Sequence, residues 1–351
     1  MSILDEIYGK NINFLFGSGA SFGEIPTLAT KYSEEGKNLT IEEIIAKKEK
    51  DCPTVVDGIY HYYYYKILKK CFLEDEKIKK SSVFKNYCIF LKKTLSFLKR
   101  ENYQKNKRIN IFTTNYDLFF EKAADTLIGK EEFYFNDGSS GNINKRLSMK
   151  NYHKKILHLG IFENMEKEIP IINLFKIHGS VSWRANDEEI YVEYKNNFKE
   201  EEVDEEIEIE VIDDNILTKE LEKVDGMRNR LREHFVLIFP EKEKFEKTVF
   251  EEFYYQTLRQ LSYELEKPNS ILIVFGFSFA DKHIAEMIKR ALNNPTLKIY
   301  IYCFNNDSEQ EIKDKLNCLS SQIEYISPED KGIIDFNIFL KKVFGSDNDD
   351  W

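Results

Sequence analysis

At 351 residues the chain is long enough to bury a substantial core and to form one elaborated α/β domain. Its formal charge is −10, with Lys and Arg interspersed among Asp and Glu, so there is no basic stripe to neutralise phosphates, which argues against direct nucleic-acid binding. Five scattered cysteines without a C-x-x-C pair supply neither a zinc-ligand set nor a disulfide framework, and no apolar run approaches the roughly 20 residues that span a bilayer.

The opening MSILDEIYGK lacks an apolar signal core, so the expectation is a cytoplasmic protein with reduced cysteines, no membrane contact and no metal. The first predicted strand, Asn13 to Phe16, runs into Gly17-Ser18-Gly19-Ala20-Ser21, residues too small to fill a core. Gly17 and Gly19 permit positive φ and close approach, and the N–H groups that follow can point at a pyrophosphate over a helix start. A plain tight turn explains the same residues, since Phe22 stands where a third glycine belongs and Gly23 comes one place late.

Roughly ninety residues with helical periodicity follow, among them IEEIIAKKEK, HYYYYKILKKCFLEDEKIKK and NYCIFLKKTLSFLKRE. That is too long for a simple crossover and predicts an inserted helical subdomain over 37–104. Its tyrosines suit either a packed layer or a contact surface.

A second strand, Ile109 to Phe112, ends in Thr113-Thr114-Asn115-Tyr116-Asp117 and opens the helix DLFFEKAAD. Asn115 or Asp117 suits an N-cap, and the Asn115 carboxamide, which donates and accepts at once, also suits the placing of a water or ribose hydroxyl. Phe133 to Ile161 contains the turn cluster NDGSSGN and is expected to include a loop. The strand Ile171 to Ile177 then delivers His178, Gly179 and Ser180 to the same sheet edge as the glycines. A histidine there serves either as a satisfied structural residue or as a base.

Residues 187–232 form an acidic excursion whose run KEEEVDEEIEIEVIDDN, at 199–215, contains the alternation Ile207 to Val211 of an edge strand. Phe235 to Phe239 reads as another sheet strand, followed by the helix Phe250 to Glu266. The strand Ile271 to Phe275 precedes a second glycine turn, Gly276 to Asp281, where Ser278 suits a phosphate or ribose, or else Ser278 and Asp281 cap the helix Asp281 to Leu292. Leu297 to Phe304 ends in Asn305-Asn306-Asp307, suited to an adenine ribose or to a plain turn. A short strand Gln322 to Ile326, a closing helix Lys331 to Phe344 and a frayed SDNDDW complete the chain.

These elements describe an α/β fold with a Rossmann-like parallel sheet, whose ligands lie outside the carboxyl ends of the strands. In order and context, GSGAS, TTNYD, HG and GFS resemble the sirtuin family, and the bacterial sirtuin-like NAD hydrolases of antiviral defence more than the protein deacylases. That resemblance covers roughly residues 9 to 30, 108 to 125, 170 to 184 and 234 to 310. It implies NAD as substrate, with Gly17, Ser18, Gly19, Ala20 and Ser21 at the phosphates and Asn115 catalytic beside the nicotinamide ribose, flanked by Thr114 and Asp117. It further implies His178 as the active-site histidine, Gly276 and Ser278 over the dinucleotide, and Asn305, more loosely, near the adenosine. By the same resemblance the expected activity is cleavage of NAD to nicotinamide and ADP-ribose, in a homo-oligomer, with a HerA-type ATPase as a candidate partner. Deacylases carry a Pro-Asp-Phe-Arg element and a four-cysteine zinc ribbon; this chain reads GEIPTLAT, keeping only Ile25-Pro26, and has no ribbon. A deacylase or ADP-ribosyl transferase and a non-catalytic NAD or ADP-ribose sensor are the rival readings. A dehydrogenase fits least, because the acidic residue due about 20 positions beyond the glycines has no clear βαβ context.

Overall fold

The computed structural model describes residues 3, 8–34, 37–48, 53–74, 76–100, 106–161, 166–186, 188–199, 226–241, 248–329 and 331–345. Seven strands form the central sheet: β1 (Asn11–Phe16), β2 (Arg108–Thr113), β3 (Tyr134–Asn136), β4 (Ile171–Lys176), β5 (Ser270–Phe275), β6 (Lys298–Tyr302) and β7 (Ile323–Ile326). Their order is β7-β6-β5-β1-β2-β4-β3, and all neighbours are parallel. The sheet is Rossmann-like: β1 sits between β2, which follows it, and β5, where the chain crosses to the other half.

Side-chain alternation splits each strand between two cores. Phe14, Phe16, Ile109, Ile111, Ile172, Leu174, Ile271 and Ile273 face one layer, and Leu15, Phe112, Phe175, Leu272 and Val274 the other. The first layer is built by α1 (Ile41–Lys48), α2 (Pro53–Tyr63), α3 (Ser82–Arg100), α4 (Phe119–Leu127), α5 (Met227–His234) and α9 (Phe336–Phe344). The second is built by α6 (Thr248–Glu266), α7 (Lys282–Ala291) and α8 (Asn306–Leu316). Every residue of β4 and β5 is buried, which is why these strands are mostly apolar on both faces, with Asn173 and Lys176 of β4 among the exceptions.

The long helical excursion lies directly on the sheet. The Phe90 ring on α3 stands edge-on to Phe14 at 4.9 Å and to Phe16 at 5.0 Å, while Tyr87 stacks on Phe119 of α4 at 4.8 Å. A π turn, Tyr64–Leu68, continues α2, and Tyr60, Tyr63 and Tyr64 are all fully buried. Those three tyrosines belong to the core and cannot form an outward contact surface.

Four strands carry a polar row through the second layer's face of the sheet. Asn13, Asn110, Asn173 and Asn136 stand side by side in register on β1, β2, β4 and β3. Asn110 Nδ2 donates to Asn13 Oδ1, Asn173 Nδ2 to Asn110 Oδ1 and Asn136 Nδ2 to Asn173 Oδ1, each at 2.9 Å. The ends of the row are closed by backbone: Asn13 donates to the Ile271 carbonyl at 3.3 Å, and Asn136 accepts from the Gly138 N–H at 3.1 Å.

Two expectations differ from the structure. Phe235 to Phe239 is no strand of the central sheet: Val236–Leu237 pairs antiparallel with Gly179–Ser180, lying across the exit of β4. Gly179 makes that approach possible, because at its φ of +85° a Cβ would stand 2.2 Å from the Val236 carbonyl oxygen. The place beside β4 goes instead to β3, three residues near the start of the stretch that also holds the expected turn cluster NDGSSGN. The closing helix starts at Phe336, capped by Asp335, whose Oδ1 accepts from the Ile338 N–H at 2.7 Å. Most of the acidic excursion, with its expected edge strand, and the SDNDDW end lie outside the described residues.

Candidate functional site

Four turns meet at the carboxyl edge of the sheet: those after β1, β2, β4 and β5. The β1 turn is a single 3-10 turn, Ser18–Ser21, and Gly17 before it is extended, at φ −117° and ψ −174°. Neither Gly17 nor Gly19 has positive φ, so the expectation of a left-handed backbone there is corrected; proximity is what requires glycine. A Cβ on Gly17 would stand 2.4 Å from the Gly276 oxygen, one on Gly19 2.8 Å from Gly276 Cα, and one on Gly276 2.5 Å from the Ala20 nitrogen. The two glycine turns press backbone to backbone, and the Gly19 N–H donates to the Gly276 carbonyl at 2.9 Å. Gly276 has φ +67°, which an L side chain rarely adopts.

The β2 turn is tied to the β1 turn through Ser21. Asn115 Nδ2 donates to Ser21 Oγ at 3.1 Å, Ser21 Oγ donates to Asp117 Oδ2 at 2.7 Å, and the Tyr87 hydroxyl lies 2.8 Å from the same Oγ. The Thr114 N–H donates to the Phe16 carbonyl at 3.1 Å, and the Asn115 N–H to Thr113 Oγ1 at 3.0 Å. Asn115 is 8% exposed and its Oδ1 is buried without a hydrogen-bond partner. An orphaned buried carbonyl oxygen costs about 1–3 kcal/mol and is relieved by any donor that enters the site. Asp117 is not the N-cap, which is Leu118; its Oδ1 accepts from the Phe119 N–H at 3.2 Å. Burial raises its pKa, opposed by the Lys176 charge and by the hydrogen bond from Ser21.

Under this turn sits Lys176, the last residue of β4 and only 3% exposed. Its ammonium donates to the Asp117 carbonyl and, at 3.3 Å, to Ser180 Oγ, and it pairs with Glu121 Oε1 at 2.9 Å. Burial outweighs that pairing and pushes the Glu121 carboxyl up to about 7. The Val181 N–H donates to the Tyr116 carbonyl at 3.2 Å, and the Tyr116 hydroxyl to the Ile238 carbonyl at 2.7 Å, which joins the β2 and β4 turns.

The strand register places the two expected catalytic residues alike. Thr113 and Lys176 are paired, and Asn115 and His178 each come two residues beyond them. His178 Nε2 lies 2.9 Å from Asp281 Oδ2, and its carbonyl accepts from the Ile238 N–H at 2.8 Å. Asp281 caps α7, its Oδ1 accepting from the His283 N–H at 2.9 Å and the Ile284 N–H at 3.2 Å. Because β4 and β5 are separated by β1 and β2, three strand spacings of about 4.8 Å, the His178–Asp281 pair reaches over the ends of both intervening strands.

The four turns therefore form a ring, joined by Ser21, Lys176, Asp281 and the Gly19–Gly276 contact. Two expected residues stand apart from these links. Ser278 is exposed, its carbonyl accepting from Lys315 Nζ at 3.1 Å. Asn305 forms a capping box at the start of α8, Oδ1 accepting from the Ser308 N–H at 2.8 Å while its own N–H donates to Ser308 Oγ at 3.0 Å.

A family model described as the SIR2-like domain matches residues 109–326, more than half of the chain. The chain belongs to the SIR2-like family. A comparison with curated proteins finds no match. The family is of the sirtuin type and uses NAD, and the SIR2-like match runs from β2 through β7, taking in Asn115, Asp117, His178, Gly276, Ser278 and Asn305. The glycine turn after β1 precedes the matched span and joins this SIR2-like site through its contacts with Gly276, Asn115 and Asp117.

The sequence reading missed Lys176, Glu121 and Tyr87, and it saw Asp281 only as a cap. Lys176 left a signal, a lysine inside the apolar run IINLFKI, where a buried cation requires a partner. Asp281 left none, since a helix cap and a histidine partner look identical in one dimension. Among the described residues no group of three or more His, Cys, Asp and Glu stands ready to hold a metal.

Proposed function

We propose that this SIR2-like chain hydrolyses NAD, breaking the bond between nicotinamide and ribose to give nicotinamide and ADP-ribose. The observation that carries the reading is that Asn115 and His178 each come two residues beyond the paired ends of adjacent strands, Thr113 and Lys176, with the Asn115 oxygen buried and without a hydrogen-bond partner.

Nicotinamide leaves as a neutral ring, taking the electron pair of the broken bond, so the reaction needs little acid assistance. The protein's part is to place a nucleophile and take up its proton. Asn115 Oδ1, held by the Nδ2 bond to Ser21, accepts from a ribose hydroxyl or from the attacking water. His178 takes the proton that the water releases as its oxygen bonds the anomeric carbon. The residues Gly17 to Ser21, with Thr114, Asp117, Gly276 and Ser278, form the surface assigned to the dinucleotide, and Asn305 the outlying contact assigned to its adenosine. No metal has a part in this scheme.

The wider assignment rests on the resemblance to bacterial defence enzymes: an NAD-depleting effector, cytoplasmic and oligomeric, restrained until a trigger or a HerA-type ATPase partner releases it.

Incubation of the purified chain with NAD, with products separated by chromatography, tests the reading. Nicotinamide and ADP-ribose are expected in equal amounts, and Asn115→Ala and His178→Ala are each expected to lower the rate by about 10²–10⁴. NAD binding with a rate of NAD loss that neither substitution alters would leave a sensor. Turnover only with an acetylated peptide would leave a deacylase.

A further inference from the structure

We infer that Asp281 is a positioning residue which holds neutral His178 in the tautomer with hydrogen on Nε2, so that Nδ1 is the basic atom facing the substrate. This deepens the reading of His178 as proton acceptor and rests on it.

The inference follows from the inventory of donors. Asp281 Oδ1 already accepts from two backbone N–H groups at the start of α7, so the carboxylate cannot rotate without stranding them. Its other oxygen is thereby fixed 2.9 Å from His178 Nε2. A carboxylate only accepts, so Nε2 must donate and a neutral ring must keep its lone pair on Nδ1. Nδ1 makes no hydrogen bond with the described residues, and the His178 side chain keeps 15% of its surface exposed. When Nδ1 takes a proton from water, the positive charge spreads to Nε2–H, against the carboxylate. The same logic of base and orienting acid operates in hydrolytic triads.

One substitution separates orientation from folding. In Asp281→Asn the carboxamide oxygen can still cap α7, which turns the NH2 group toward His178. Nε2 must then accept, the proton moves to Nδ1 and the base is lost. Labelling the six histidines with nitrogen-15 and recording two-bond proton–nitrogen spectra at about pH 8, above the usual histidine range, reads the tautomer directly. His178→Gln identifies the resonance. The expected result is Nε2–H in the parent, Nδ1–H in Asp281→Asn, and a fall in kcat of a hundredfold or more for that variant, with KM and melting temperature little changed.

A parent ring protonated on Nδ1 would overturn the inference, as would an Asp281→Asn enzyme of parental rate. The parent spectrum needs no Asp281 variant, so the assignment stays testable if Asp281→Asn fails to fold. Should the parent show Nε2–H while His178→Gln cleaves NAD at the parental rate, the tautomer stands and the role of His178 in the proposed hydrolysis falls.

Discussion

Glu121 and Lys176 form a buried pair in which one partner is only half satisfied. Lys176 holds Glu121 Oε1, whereas Oε2 is buried without a hydrogen-bond partner. Burial raises the carboxyl from its ordinary 4.5 to about 7, and the Lys176 charge opposes that shift without cancelling it. A carboxyl whose folded pKa is raised binds more protons folded than unfolded between those two values. Its contribution to stability is thus whole below about pH 4.5 and is lost as the pH climbs through about 7. Glu121→Gln has no such proton to lose. Urea unfolding from about pH 5 to about 8 is expected to show the parent losing stability relative to Glu121→Gln as pH rises. A difference that stays flat would mean that the Lys176 charge holds the carboxylate ionised throughout. Because Lys176 also holds the carbonyl of Asp117, titration of this pair touches the turn that carries Asn115.

Turns and strands show a different division between what is legible and what is not. GSGAS and GFS announce tight turns from their composition, yet the reason for glycine lies between them, in a contact across some 260 positions. The same holds inside the sheet. In NINFLF, RINIFT and IINLFK a single interior asparagine looks like a flaw in a β pattern, and only the pairing register turns the flaws into a row. Periodicity also cannot tell a buried strand from an apolar cover, which is why Val236–Leu237 reads like its neighbours, and three residues are too few for β3 to announce itself. The asparagine row carries its own prediction. Asn110→Leu strands Asn13 Oδ1 and Asn173 Nδ2 and is expected to cost about 1–3 kcal/mol for each in urea unfolding. Replacing Asn13, Asn110 and Asn173 together by leucine removes these partners at once, while Asn136 keeps the Asn151 carbonyl. The triple change is expected to be the milder of the two. If the single change costs nothing, the row is no coupled network.

For the molecule as a whole, the decisive fact is that the matched SIR2-like span cannot close its own sheet. Residues 109–326 supply β2 through β7, but β1, which holds β2 and β5 apart, comes from before that span, and α3, which packs on it, comes from between. The helical excursion was legible as helix; its standing as one of the two layers was not, because only contacts decide between an appendage and a core. Phe90 decides it, with its ring against Phe14 and Phe16 of β1, Phe120 of α4 and Phe344 of α9. Phe90→Ala therefore opens the centre of this layer and is expected to cost about 3–5 kcal/mol. If the layers are one cooperative unit, the loss will appear equally in a signal from the opposite layer. Trp183 provides it, packed edge-on to Phe253 of α6 at 5.2 Å. Thermal unfolding followed by far-ultraviolet circular dichroism and by tryptophan fluorescence is expected to give coincident transitions, lowered together in Phe90→Ala. A fluorescence transition that stays in place while the helical signal falls early would make residues 37–104 a separable unit, and the ring of turns at the carboxyl edge would then owe its shape to the sheet alone.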